Sequence, residues 1–209
     1  MSKARGLSEH WDERYRKIGS TDVSWFQAEP LMSIRLIGSL DLLLTDPIVD
    51  VGGGASLLVD RLCELGFADL TVVDLSVQAL EESKARVGNS GIEWIAADVR
   101  QWQPKRQFVL WHDRATFHFL TEVSDQHRYW DIASGHLTPG GHVVIGVFAH
   151  DGPQTCSGLP VRRYDIEELA AVMGPSFAIL EHEYESHVTP AGASQAFLWV
   201  VAQRLGESK

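Results

Sequence analysis

Apolar residues follow two periods along the chain, and each change of period marks a new element. From Ile48 to Val51 a β-branched run breaks into Gly52-Gly53-Gly54, the pattern of a buried parallel strand ending in a close turn. Leu57, Leu58, Leu62 and Leu65 then recur at helical spacing, which predicts a helix over Ala55 to Leu65 that Gly66 ends. The unit repeats. Leu70 to Val73 predict a strand ending on Asp74, Val77 to Val87 a helix, Gly-Asn-Ser-Gly a turn, and Ile92 to Ala96 a strand leading to Asp98. A fourth strand, Phe108 to Trp111, ends on His112-Asp113.

The flanks carry weaker signals. Ser8 predicts the cap of a short helix bearing Trp11 and Tyr15, which Gly19 to Asp22 break. An irregular aromatic stretch from Val23 leads to Pro30. There Leu31, Ile34, Leu36, Ile37, Leu40 and Leu43 predict a second helix ending at Thr45-Asp46-Pro47. Further on, Ser124 predicts the cap of a helix to about His136, Pro139-Gly140-Gly141 a tight turn, and His142 to Phe148 a strand. Asp165 and Glu168 have capping-box spacing for a helix reaching Met173, which Pro175 stops. Phe177 to Glu185 and Gln195 to Arg204 close the chain as two strands joined across His187 to Ser194. Alternating strands and helices followed by a terminal hairpin predict an α/β sandwich.

Composition narrows the function. With 209 residues, 44% hydrophobic, the chain is long enough for a sizeable core and reads as one domain. A formal net charge of −10 argues against bulk nucleic-acid binding, which depends on clustered Lys and Arg. Two cysteines, no leader-like start and no apolar run near the roughly 20 residues of a membrane span point to a cytoplasmic protein.

A glycine turn between strand and helix is a nucleotide-binding arrangement. Asp74 follows Asp50 by 24 residues, close to the roughly 20 that place a ribose-binding acid after a Gly-rich turn. A dinucleotide fingerprint would need glycine at Leu57, and a phosphate-binding loop would need Gly-Lys-Ser or Gly-Lys-Thr. Neither is present. Asp50-Val51-Gly52-Gly53-Gly54 instead resembles the first motif of the class I S-adenosylmethionine-dependent methyltransferases. Asp74 resembles that family's ribose-binding acid, Ala97-Asp98-Val99 its adenine-contacting motif, and Leu137-Thr138-Pro139-Gly140-Gly141-His142 its turn into strand five.

The resemblance implies a three-layer αβα sandwich around a seven-stranded, mostly parallel Rossmann-like sheet with a C-terminal antiparallel hairpin. It implies S-adenosyl-L-methionine as cofactor, S-adenosyl-L-homocysteine as product, and Asp50, Gly52, Gly53, Gly54, Ser56, Asp74, Leu75, Asp98, Val99 and His112 as cofactor-side residues. Residues 1–45 then form a helical lid, 46–148 the cofactor-binding core, and 149–209 a substrate-side loop and hairpin.

Methyl transfer from a sulfonium asks the protein to position the acceptor, exclude water and take a proton where necessary. Candidates for the last task are His112, Asp113 and His118 at the end of strand four. Trp25 and Phe26 of the aromatic segment, and Cys156 and Arg163 of the long loop, are candidate acceptor contacts. A small-molecule acceptor is the leading expectation. Asp113-Arg114-Ala115-Thr116 resembles the Asp-Lys-Gly-Thr of a branch containing protein-lysine methyltransferases, so a protein substrate is the alternative, and a noncatalytic binding module is a third reading.

Overall fold

The computed structural model describes residues 3–88 and 91–206. Asn89 and Ser90 of the expected Gly-Asn-Ser-Gly turn lie outside the described residues. The chain begins with helices α1 (Lys3–Ile18) and α2 (Leu31–Gly38). Then β1 (Ile48–Val51), α3 (Leu58–Glu64), β2 (Leu70–Asp74), α4 (Val77–Val87), β3 (Glu93–Ala96) and β4 (Phe108–Arg114) alternate. After a 3-10 turn at Phe117–Phe119 come α5 (Val123–His136), β5 (Leu137–Phe148), and a small ribbon of β6 (Thr155–Cys156) and β7 (Leu159–Pro160). Helix α6 (Ile166–Met173) and the hairpin β8 (Phe177–Val188) and β9 (Ser194–Arg204) complete it.

Seven strands form one sheet in the order β3-β2-β1-β4-β5-β9-β8, parallel through β5, with β9 antiparallel to β5 and to β8. Alternation along the strands sends side chains to two cores, as a sheet covered on both faces requires. Val49, Val51, Trp111, Ile145 and Leu198 meet Tyr129 and Trp130 of α5 and Leu169 of α6 on one face. Ile48, Leu70, Leu110, Val144 and Trp199 meet Leu36 of α2, Leu58 and Leu62 of α3, and Leu80 of α4 on the other. These are the three layers.

Several boundaries differ from the sequence expectation for identifiable reasons. Helix α1 starts before Ser8, whose hydroxyl donates to Leu75 O at 3.0 Å and so ties the helix to the β2–α4 turn instead of capping it. Helix α2 stops at Gly38, leaving Leu43 exposed. Helix α3 begins at Leu58, because residues 55–57 stay in the turn. Glu122, not Ser124, occupies the N-cap of α5, without a side-chain cap bond. The capping box at Asp165 and Glu168 is present with both bonds. Strand β4 continues through His112 and Asp113 to Arg114, which changes where those side chains point.

Candidate active site

The C-terminal ends of β1, β2 and β4 surround the glycine turn. Gly52 donates its N–H to Val73 O at 2.7 Å and holds φ at +71°, and a Cβ there would lie 1.6 Å from Thr116 Oγ1. At Gly53 a Cβ would lie 2.4 Å from Asp50 Oδ2. Only glycine lets the turn pass between the β4 loop and the acid at this spacing. Ser56 Oγ accepts from Leu58 N at 3.1 Å, so the serine organises the start of α3.

Above this turn is a cavity of about 420 Å³. Asp74, Leu75, Asp98 and Val99 line it, together with Trp11, Trp25, Phe119, Cys156, Leu159 and Pro160. Helix α1 is held over the cavity by Asp12, whose carboxylate accepts from Ser76 Oγ at 2.7 Å and Gln78 N at 3.2 Å. Trp11 packs edge-on against Trp25 and Phe119, with ring centroids 5.7 and 5.1 Å away, making a continuous aromatic wall.

The acids at the strand ends differ in setting. Asp74 accepts from Ser76 N at 2.7 Å, yet burial, aided by the charges of Asp50 and Asp12, pushes its pKa up to about 7. Asp98 is gripped by Arg100, with Nε 2.8 Å from Oδ1 and Nη2 2.5 Å from Oδ2, and Arg100 Nη1 also reaches Asp125 Oδ2 at 2.9 Å. These bonds to Asp98, and then to Asp125, raise the arginine's pKa beyond its ordinary value.

A smaller recess of about 40 Å³ lies behind Gly52 and Gly53, lined by Phe26, Ser33, Asp50, Ser56 and His112. Here Asp50 Oδ1 is 2.7 Å from His112 Nδ1, and His112 Nε2 is 2.9 Å from Ser33 Oγ. Both ring nitrogens are therefore occupied. Ser33, from α2, had no sequence signal linking it to the site.

The three candidate catalytic side chains do not line the large cavity. Neighbours on a strand point to opposite faces, so Asp113 turns away from His112 toward α5. It accepts from Tyr129 Oη at 2.6 Å, Thr116 N at 3.0 Å and Phe117 N at 3.1 Å, and burial pushes its pKa up to about 6. His118 sits between the rings of Phe119 and Phe148 with neither nitrogen hydrogen-bonded, and burial lowers its pKa to about 3. Asp113 thus organises the turn after β4, and His118 packs among core rings. His112 belongs with Asp50.

Of the acceptor candidates, Trp25 borders both spaces, Phe26 only the recess and Cys156 only the large cavity. Burial raises the Cys156 thiol. Arg163 lines neither, and binds the carbonyls of His150 and Gly152 to hold the loop after β5. Arg114, Thr116 and Phe119 also line the large cavity, and no local sequence signal marks them because their access to it depends on where β4 ends. Ala115 is in the left-handed region at φ +65°, at the position where Asp-Lys-Gly-Thr has glycine.

A family profile described as a methyltransferase domain matches residues 48–141, the segment that carries the glycine turn and the strand-end acids. That segment is similar to methyltransferase domains, and the fold is the one found in solved S-adenosylmethionine-dependent methyltransferases. Human EEF1A lysine methyltransferase 2 is 27% identical over 110 residues, 49% of this chain and 47% of that protein. Nodulation protein S of Bradyrhizobium diazoefficiens is 28% identical over 99 residues, 47% of each chain. The chain thus spans about half the length of these curated relatives. The solved structure of N-methyltransferase NodS from Bradyrhizobium japonicum, in complex with S-adenosyl-L-homocysteine, superposes with a TM-score of 0.70 at 18% identity, covering 93% of this chain and 98% of that one. Among the described residues no helix is long and apolar enough to cross a membrane.

Proposed function

We propose that the chain transfers a methyl group from S-adenosyl-L-methionine to a small-molecule acceptor, leaving S-adenosyl-L-homocysteine. The observation that carries this reading is a 420 Å³ cavity lined both by strand-end acids and by aromatic and apolar side chains. Cavities of about 300–1,000 Å³ suit small ligands.

The residues present fit the cofactor. Gly52 borders the large cavity, Asp74 would hold the ribose hydroxyls, and Leu75, Asp98 and Val99 would border the adenine. Asp50, oriented by His112, would face the methionine end together with Gly52 to Gly54, with Ser56 at the rim. When bound, the cofactor supplies a methyl group already activated on a sulfonium. What the chain contributes is positioning and exclusion of water, with Trp11, Tyr15 and Trp25 covering the cavity. Residues 1–45 act as the lid, 46–148 as the cofactor half and 149–209 as the acceptor side of one unit working in the cytoplasm.

Protein-lysine methylation is the second reading, favoured by the Asp113-Arg114-Ala115-Thr116 stretch and by the lysine-methyltransferase relative. Calorimetry with S-adenosyl-L-homocysteine tests the cofactor, and absence of binding ends both readings. Incubation with labelled donor then separates them, since label in the metabolite fraction supports a small acceptor and label in a protein band supports the second reading. Cofactor binding without turnover on either fraction would point to a noncatalytic module.

A further inference from the structure

Arg114, at the end of β4, has buried guanidinium nitrogens without hydrogen-bond partners. Its Nη1 donates to Trp25 O at 2.7 Å, and its guanidinium lies 5.2 Å from the centre of the Phe197 ring. Nε and Nη2 are buried and have no hydrogen-bond partner. These two nitrogens form one edge of the guanidinium, the fork that receives both oxygens of a carboxylate. Burial holds the pKa down to about 10, which still leaves the group charged at neutral pH. An unpaired buried cation is costly, so such a fork is most stable when an anion completes it.

Arg114 lines both the large cavity and the recess, so this buried edge lies beside the place where the two spaces adjoin. Around it are the Trp25 segment, Phe197 of β9, Glu185 of β8 and the Cys156 ribbon, and the charge of Asp50 reaches it from the recess. Glu185 is already occupied, accepting from Trp199 Nε1 at 2.7 Å and from Gln27 Nε2 at 3.4 Å. A second guanidinium strengthens the same region. Arg14 of α1 also has a buried, unpartnered Nε, and the fields of Arg14 and Arg114 both reach Cys156. The nearby wall of Trp11, Trp25, Phe119, Leu159 and Pro160 is apolar.

We propose that the acceptor is a carboxylate with an apolar or aromatic body, its carboxylate held by the Nε/Nη2 edge of Arg114 and its body against the Trp11, Trp25 and Phe119 wall. This rests on the methyltransferase reading for the word acceptor, while the anion site itself stands on geometry. Arg114 is then a specificity residue that an amine or neutral amide of the same shape fails to satisfy.

The test titrates phenylacetate and phenylacetamide into the full chain, with and without S-adenosyl-L-homocysteine. The expected result is that the acid binds about tenfold more tightly than the amide or better, because only the acid completes the fork. In Arg114→Gln that preference disappears while the affinity for S-adenosyl-L-homocysteine stays within about threefold of wild type, less than the loss of one charged hydrogen bond. Arg114→Lys keeps the charge without the fork, is expected to lose most of the preference, and serves where Arg114→Gln does not fold. Equal affinity for acid and amide, or no binding of either, overturns the proposal. So does parallel loss of phenylacetate and S-adenosyl-L-homocysteine in the variants, which would give the guanidinium to the cofactor's own carboxylate. Preference for the acid with no affinity for S-adenosyl-L-homocysteine removes the methyltransferase reading and, with it, the assignment to an acceptor.

Discussion

Asp50 and His112 face one another across adjacent parallel strands, Oδ1 to Nδ1 at 2.7 Å, with 5% and 2% of their surfaces exposed. Ser33 fixes the far side of the imidazole at 2.9 Å, so an acid of β1, a histidine of β4 and a hydroxyl of α2 form one buried chain. Removing the histidine strands the carboxylate. His112→Ala is expected to lose about 3 kcal/mol of stability, the size found when one partner of a buried pair is deleted, and to weaken S-adenosyl-L-homocysteine binding because Asp50 is no longer held. Urea unfolding and calorimetry check this. Unchanged stability combined with a lost limb of the pH–rate profile would instead mark His112 as a proton carrier.

Placing Asp74 at the ribose, with its pKa pushed up to about 7 by burial, predicts pH-dependent cofactor binding. Only the ionised carboxylate accepts from both ribose hydroxyls. Affinity for S-adenosyl-L-homocysteine should therefore rise with pH through 7, by up to about tenfold between pH 6 and pH 8. Asp74→Asn should bind weakly at every pH, with a much shallower slope. Calorimetry at three pH values decides, and a flat wild-type profile would take Asp74 out of the ribose site.

A methyl group at position 52 has nowhere to go. Thr116 Oγ1 occupies the space at 1.6 Å, Thr116 Cβ follows at 2.8 Å, and the backbone is left-handed. Gly52→Ala should cost roughly 1–3 kcal/mol from strain alone and abolish detectable binding of S-adenosyl-L-homocysteine. Thr116→Ala should bind it normally, since the hydroxyl's one contact, with Val51 O, is long at 3.4 Å.

What could be read from the sequence was local, and what could not be read depended on register. The glycine turn, Asp74 and the alternation of strands with helices are encoded within a few residues, and so were the sheet and its cofactor edge. The strand assigned to Phe108–Trp111 runs on to Arg114. Those extra residues decide that Asp113 faces α5, that His112 faces Asp50 and that Arg114 reaches the cavity, and no local pattern specifies them. Ser33 and His112 are likewise partners only through the tertiary packing of α2 on the sheet. His118 looks chemically available in the chain, and becomes a core residue because Phe148 and Phe119 close around it.

Asp113 offers the sharpest separation of structure from catalysis. Its pKa is raised to about 6 by burial, above the value near 3.9 of an unfolded aspartate. The folded state therefore holds the proton more tightly than the unfolded state between pH 4 and pH 6. Across that window the group's contribution to stability falls as pH rises, by about 2–3 kcal/mol in total. Asp113→Asn, which cannot ionise, should lack this component, so the stability difference between wild type and variant should shift against the wild type from pH 4 to pH 7. Urea unfolding at each pH measures it. The asparagine cannot accept all the bonds now made by Tyr129, Thr116 and Phe117, so the turn before α5 should loosen and raise the acceptor KM more than it lowers kcat. A variant that folds, binds S-adenosyl-L-homocysteine like wild type and loses turnover outright would mark Asp113 as a catalytic residue.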